Sequence, residues 1–274
     1  MSEEIKDNYS EEREEEYSNR RGATILLVIV GVVLIIFGAA YSGYYLYSQY
    51  SAKQDSNQYT EIISEPVTEK TDGGIVKNPI DFKSLKKQND EIYAWIKVPG
   101  TKVDYPIVQS AASDTFYLKH SALTKRWAAS GAIYTEMVNA KDFDDRVTLI
   151  YGHNGYSDTM FTTLHSFERE DFFKEHSKFY IYTPKSKLTY RIVSAFKYDN
   201  RHIMNSFDFQ DEAVFSDFLN MIQNPQSTVK NVRGKLDEPL NRESKIVVLS
   251  TCIKNQKSNR YLVCGVLIKD EKTD

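Results

Sequence analysis

Near the C-terminus, a cysteine ends one apolar run and an arginine begins the next. The chain reads Val247-Val248-Leu249-Ser250-Thr251-Cys252, then a short polar loop, then Arg260-Tyr261-Leu262-Val263-Cys264-Gly265-Val266-Leu267-Ile268. Upstream, Val147-Thr148-Leu149-Ile150-Tyr151-Gly152-His153-Asn154 places His153 at the end of a third apolar run. Acyl transfer by a cysteine needs a thiol nucleophile, a group that moves protons near neutral pH and a cation that steadies an oxyanion. Cys252, His153 and Arg260 supply one of each.

Taken singly, each residue has a plainer reading. Cysteine is often buried and inert. On a strand ending at Cys252, however, Ile246, Val248, Ser250 and Cys252 share one face by the period-two rule. The polar flanks Ser250-Thr251 and Lys254-Asn255-Gln256-Lys257-Ser258-Asn259 put Cys252 where that strand emerges into a loop. Cys264 lies inside an apolar run and reads as core. Arg260 alone would pass for a solvated loop arginine. If the two strands form an antiparallel hairpin, Cys252 and Arg260 face each other across its mouth at roughly 5 Å. The other histidines, His120, His165, His176 and His202, have no such strand-end setting and read as surface or packing residues. No Cys-x-x-Cys or His-x-x-x-His spacing suggests a metal site, and no Gly-rich phosphate loop is present.

The elements that must position these groups belong to a chain of 274 residues with a formal net charge of -3. That balance gives no reason to expect nucleic acid as a partner. Two cysteines make no disulfide framework, but 19 Tyr and 14 Phe can build a core without one. Residues 23–47 read as a transmembrane anchor. The stretch from Ala23 to Tyr41 carries no charge, and with its continuation to Tyr47 it can cross a hydrocarbon layer of about 30 Å. Tyr41, Tyr44, Tyr45 and Tyr47 resemble an interfacial aromatic belt. Arg20 and Arg21 abut its start, and the first cation beyond it is Lys53, so the positive-inside rule places the N-terminus in the cytoplasm. A cleaved leader is the competing reading, but this span is long for one and follows the Glu-rich residues 1–22. Those residues are expected to form an acidic, unstructured tail. Residues 48–78, polar and including Gly73-Gly74, are expected to form a flexible stalk spanning roughly 30 Å.

The folded domain is expected over 79–274. Phe82, Leu85, Ile92 and Trp95 lie at helix-like intervals behind a capping Asp81. Short strands follow: 94–98 and 103–108 around the turn Pro99-Gly100, then 131–134, 146–151, 179–182 and 188–198. Many short strands punctuated by Gly, Pro and Asn suggest a closed or half-closed barrel. Helical stretches interrupt them at 161–167 and 211–223. The second places Phe215, Phe218, Leu219 and Ile222 on one face, which core packing explains most simply.

Together these residues resemble the sortases, the membrane-anchored cysteine transpeptidases of Gram-positive surfaces. The resemblance rests on Leu249-Ser250-Thr251-Cys252, on Arg260 in the following strand and on Tyr151-Gly152-His153-Asn154, and it covers roughly 79–268. Trp95-Ile96-Lys97-Val98-Pro99-Gly100-Thr101 and Tyr105-Pro106-Ile107-Val108-Gln109 resemble class B in particular. The resemblance implies a mainly β fold with peripheral helices: an eight-stranded sortase β-barrel, an N-terminal helix and a helix before the seventh strand. It implies that Cys252 attacks the carbonyl after Thr in a C-terminal sorting motif of a surface protein. His153 would protonate the leaving amine and Arg260 would steady the oxyanion. An amine of a peptidoglycan precursor or crossbridge would then resolve the thioester, with no cofactor. Ser250, the backbone N–H of Ile253, Ser113 and Asn200 would line the substrate site, although the threonine run expected near Asn200 is missing. The implied location is the cell membrane, single-pass, with the catalytic domain outside. A pilin-joining sortase, another extracellular wall cysteine peptidase or transpeptidase, and a non-catalytic membrane-anchored binding protein are the alternatives. An L,D-transpeptidase would carry His-Gly and Ser-x-Gly-Cys patterns, whereas here the order is Gly152-His153 and no glycine precedes Cys252. A binding protein would not explain the Cys/His/Arg set.

Overall fold

The structure is a computed structural model that describes residues 3–62, 77–155, 158–254 and 256–274. The chain divides into two units, Met1–Ser48 and Gln49–Asp274. One helix, α1 (Glu3–Ile62), runs through the first unit and continues into the second. Its stretch Asn19–Ser48 contains an 18-residue window with a mean hydropathy of 2.9 and is long and apolar enough to cross a membrane. The helix covers the expected tail and the first part of the expected stalk, both of which sequence reading leaves unstructured. No proline interrupts residues 3–62, and the flanks are rich in Glu, Lys, Arg and Gln. Such residues extend a helix already nucleated in the apolar stretch at one hydrogen bond per added residue. The rest of the stalk, 63–76, lies outside the described residues.

The second unit holds, in chain order, α2 (Phe82–Gln88), β1 (Ile92–Lys97), β2 (Asp104–Val108), β3 (Ile133–Thr135), β4 (Val147–Tyr151), α3 (Glu170–Glu175), β5 (Lys178–Tyr182) and β6 (Ser186–Asp199). Then come α4 (Ile203–Ser206), α5 (Glu212–Gln223), β7 (Lys230–Val232), β8 (Ile246–Ile253) and β9 (Gln256–Lys272). Two 3-10 turns, Phe116–Leu118 and Thr162–Glu168, precede β3 and α3. Hydrogen-bonded neighbours follow the order β5-β1-β2-β3-β4-β8-β9-β6, and β6 returns to β5 to close the circuit. This is the expected eight-stranded closed barrel. The pairs β2–β3 and β4–β8 are parallel. The short β7 hangs on the distal half of β6. Since β7 is outside the circuit, β8 is the seventh barrel strand, and α5 lies in the connection before it.

Two cores explain why β8 and β9 read as unbroken apolar runs. Val247, Leu249, Tyr261 and Val263 point into the barrel. Ile246, Val248, Leu262, Cys264 and Val266 form the opposite face, covered by Phe215, Phe218, Leu219 and Ile222 of α5. Both faces are thus buried, each large α5 side chain contributing about 1.5–3 kcal/mol. Asp211 caps α5, accepting from the amides of Ala213 (2.7 Å) and Val214 (3.1 Å). Asp81 caps α2 in the same way through Ser84 (3.0 Å).

The helix-like spacing through Ile92 and Trp95 misleads, because α2 ends at Gln88 and both residues lie on β1. The buried Asn89 stops the helix. Its side chain donates to Tyr117 Oη (2.8 Å) and the Ala122 carbonyl (2.7 Å), and accepts from the Glu91 amide (3.0 Å). The Pro99-Gly100 turn joins β1 to β2. Gly100 has φ +81°, and a Cβ there would collide with the His176 ring.

Candidate active site

The register of β8 on β9 sets Cys252 directly opposite Arg260, as the hairpin argument requires. Opposed positions hold their Cβ atoms about 4.5–5.5 Å apart. The ladder shifts between Cys252 and Ile253, so this is the last regular pair before the turn. The Cys252 side chain is exposed, whereas Cys264 is fully buried. Arg260 is half-buried and donates from Nη1 to the Asn259 carbonyl (3.1 Å). On its other side it pairs with Tyr198 of β6. A strand on either side therefore fixes its backbone.

His153 arrives from β4, which runs parallel to β8 with Tyr151 beside Ser250. The Gly152 amide donates to the Ser250 carbonyl at 3.1 Å. One step further, His153 and Cys252 leave the sheet at the same end. Gly152 is required by packing, since a Cβ there would lie 2.5 Å from the Phe161 ring and 2.6 Å from Ile133 Cδ1. The His153 ring is anchored from the other side. Nε2 lies 2.7 Å from the carbonyl of Leu118, at the end of the first 3-10 turn. A carbonyl only accepts, so Nε2 carries hydrogen, and in the neutral ring Nδ1 is left as the basic nitrogen. Nothing in the sequence around Leu118 signals this role, because a backbone carbonyl serves regardless of its side chain.

An aromatic and acidic wall borders the pair. Tyr134 and Tyr151 stack at 5.3 Å on the neighbouring strands β3 and β4. Burial holds the Tyr134 hydroxyl well above the usual phenol range, and Glu136, Asp114 and Cys252 add to the effect while Arg260 opposes it. Burial and Glu136 raise Tyr151 likewise, again against Arg260. Glu136 accepts from His202 Nε2 (2.8 Å), and His202 in turn caps α4 by accepting from the Asn205 amide. His202 is therefore a structural cap at the edge of the site, a position its sequence setting does not reveal. His165 is the larger omission. Its Nε2 lies 3.1 Å from the Cys252 carbonyl, and its Nδ1 lies 2.6 Å from Glu168 Oε1. The i, i+3 spacing of His165 and Glu168 was the available signal.

The four further residues fall in different places. Ser250, buried between β4 and β9, shares a small cleft of about 80 Å³ with Arg260, Tyr151, Tyr198, His202 and Asn200. Ser250, Asn200 and Arg260 are therefore brought together. Ile253 is half-buried against the barrel core, and its backbone pairs with Gln256 across the turn. Ser113 makes its contacts within its own loop, with Thr115 Oγ1 at 3.1 Å. That loop leads into the turn that supplies Leu118 to His153.

A family model, the sortase domain, matches residues 96–268. Sortase B of Listeria monocytogenes is 25% identical over 249 residues, covering 90% of this chain and 96% of that protein. A class B sortase of Streptococcus pyogenes involved in pilus biogenesis is 32% identical. Its structure aligns with a TM-score of 0.59 over 69% of this chain and 98% of that one. Sortase B of Bacillus anthracis aligns with a TM-score of 0.67 at 26% identity, over 82% of this chain and 99% of that one. A closed barrel of this topology, a Cys/Arg pair across one hairpin and a histidine on the adjacent parallel strand meet in the matched region, and the chain belongs to the sortase family of cysteine transpeptidases, in class B.

Proposed function

We propose that Cys252, His153 and Arg260 carry out the two half-reactions of a wall-anchoring transpeptidase. The observation that carries this reading is the register Cys252 opposite Arg260, with His153 at the same end of the next strand. The Cys252 thiolate attacks the carbonyl of the Thr residue in a C-terminal sorting motif of a surface protein. The oxyanion of the tetrahedral intermediate lies against the Arg260 guanidinium. On collapse the C–N bond breaks, and the imidazolium of His153 gives its Nδ1 proton to the departing amine. This leaves a thioester on Cys252 and a neutral His153. A wall amine, from a peptidoglycan precursor or crossbridge, then attacks the thioester carbonyl while His153 takes its proton. The new amide forms and the thiolate departs. Dividing acyl transfer into two such steps is ordinary covalent catalysis and needs no cofactor. Ser250 and Asn200, which line the cleft beside Arg260, would contact the motif.

The test is mass spectrometry of products from a library of C-terminal peptides incubated with the chain and candidate amines. A peptide cut after Thr, with the amine joined to that Thr, is expected. Hydrolysis at unrelated sites, or no cleavage, would overturn the assignment. The pilus role of the Streptococcus pyogenes relative supports a second reading, in which the acceptor is a lysine of another protein subunit. An isopeptide between two protein chains would identify it.

We also infer that α1 tethers the enzyme to the membrane with residues 1–22 in the cytoplasm, 23–47 in the bilayer, 48–78 as spacer and the catalytic domain, 79–274, outside. A tether raises effective concentration, to the millimolar range for short flexible linkers, without new contacts. A fragment from Asn78 onward is therefore expected to turn over peptide in solution as fast as the full chain. In cells, however, it should anchor substrate poorly. Peptide kinetics with and without 1–77 check this, and a large loss of turnover on truncation would refute the tether.

A further inference from the structure

We propose that His165, Glu168 and Asn154 form a bracket that positions the nucleophile by holding the peptide carbonyl of Cys252. The inference rests on the transpeptidase reading above and adds positioning residues to it. The β4–β8 pairing ends with Tyr151 beside Ser250, so the Cys252 carbonyl, on the same side of β8 two residues later, lies beyond it. That carbonyl instead meets side chains. Asn154 Nδ2 donates to it at 3.0 Å, and His165 Nε2 lies 3.1 Å away. Asn154 Nδ2 and His165 Nε2 are also 3.1 Å apart. Behind the ring, Nδ1 faces Glu168 Oε1 at 2.6 Å. The ring stacks on Tyr261 at 4.9 Å, and Tyr261 is fully buried in the barrel core.

The hydrogen inventory closes in either protonation state. Glu168 accepts from Nδ1–H. In the neutral ring, Nε2 then accepts one hydrogen of the Asn154 amide while the other goes to the Cys252 carbonyl. In the imidazolium, Nε2–H donates to that carbonyl directly. The Cys252 peptide is therefore never without a side-chain donor. The bracket also joins the two halves of the site. Asn154 follows His153, whose own carbonyl accepts from the Phe161 amide at 3.0 Å. One side-chain amide thus links the histidine's strand to the cysteine's peptide. His165 and Glu168 come from the 3-10 turn Thr162–Glu168, which adds a third attachment point. Misplacing reacting groups by about 1 Å can cost around 10²-fold in rate, so such a clamp acts on turnover rather than on binding.

The experiment uses the full chain in detergent micelles. Its probe is a quenched-fluorescence peptide containing the Thr–Asn or Thr–Gly bond that the unaltered chain cleaves fastest. His165→Ala is expected to lower kcat roughly 10- to 10²-fold with KM unchanged. His165→Gln, whose amide nitrogen reaches the place of Nε2, should restore most of that loss. Glu168→Gln should fall between them. A second readout needs no substrate: the rate at which iodoacetamide alkylates Cys252. His165→Ala should change it, because the thiol leaves its fixed place opposite Arg260, and His165→Gln should recover it. Unchanged kcat and unchanged alkylation in His165→Ala would overturn the proposal. Equal losses in the Ala and Gln variants, accompanied by a fall in melting temperature, would also overturn it, since His165 would then only pack on Tyr261. If the unaltered chain cleaves no peptide, the transpeptidase reading fails, while alkylation still decides the bracket.

Discussion

Cys252→Ala is expected to abolish thioester formation and peptide cleavage, a loss on the order of 10⁶-fold when a covalent nucleophile is removed. The fold should survive, because the side chain is exposed and contributes nothing to either core. Cys264→Ala is the matched control. Its thiol is fully buried beneath α5, and burial pushes its pKa up to about 12. Removing one sulfur there should cost about 1 kcal/mol of stability while leaving turnover intact. Thiol labelling gives an independent reading. Iodoacetamide should label the unaltered protein once, at Cys252, because Cys264 is neither accessible nor ionised near neutral pH. Intact mass and thermal melts of the three proteins check both statements. Substantial cleavage by Cys252→Ala would remove the thiol from the mechanism.

The contrast between these cysteines was legible in the sequence because it rests on local flanks: polar on both sides of Cys252, apolar on both sides of Cys264. The Cys252–Arg260 juxtaposition was legible for a related reason. Two strongly patterned strands joined by a short polar loop have few ways to pair, so their register follows from the loop. The parallel seams β2–β3 and β4–β8 were not, since such pairing joins segments far apart in sequence and leaves no local mark. Strand patterns suggested a closed or half-closed barrel and the resemblance made it eight-stranded, but strand patterns alone could not have placed His153 beside β8. Hydrogen bonds that position the site were equally hidden. The Leu118 carbonyl that fixes the His153 tautomer is a backbone group, and Asn154 and His165 act on a backbone carbonyl.

Failures at element ends have their own physical causes. Phe82, Leu85, Ile92 and Trp95 fit a helical interval, yet Asn89 ends the helix by bonding to Tyr117 and Ala122, partners contributed by the later loop. β7 spans Lys230–Val232, three residues too few to show alternation. It forms because the distal half of β6 offers an edge that β5 does not cover. Continuation of α1 through an acidic segment shows the opposite effect: composition suggested an unstructured tail, while an adjoining long helix supplied the nucleus.

Removing the guanidinium is the second large effect. Arg260→Ala should lower kcat about 10²–10³-fold, the usual consequence of losing one oxyanion donor. His153→Ala should lower it roughly 10²–10⁴-fold by removing the proton carrier. The Arg260→Lys variant discriminates between roles. Lysine keeps the positive charge but replaces a rigid fork of donors with a mobile point charge. Arg260 is held from both sides, opposite Cys252 on β8 and Tyr198 on β6. Its fork is therefore delivered from a fixed backbone, an advantage a flexible ammonium cannot reproduce. Arg260→Lys should stay closer to the alanine variant than to the parent. The double variant His153→Ala/Arg260→Ala should lose far less than the product of the single losses, because groups that act together in one transition state are not additive. Single-turnover kinetics, with melting temperatures to exclude unfolding, measure all four. Near-normal turnover in Arg260→Lys would reduce Arg260 to an electrostatic neighbour of the thiolate, and the oxyanion would then require another donor.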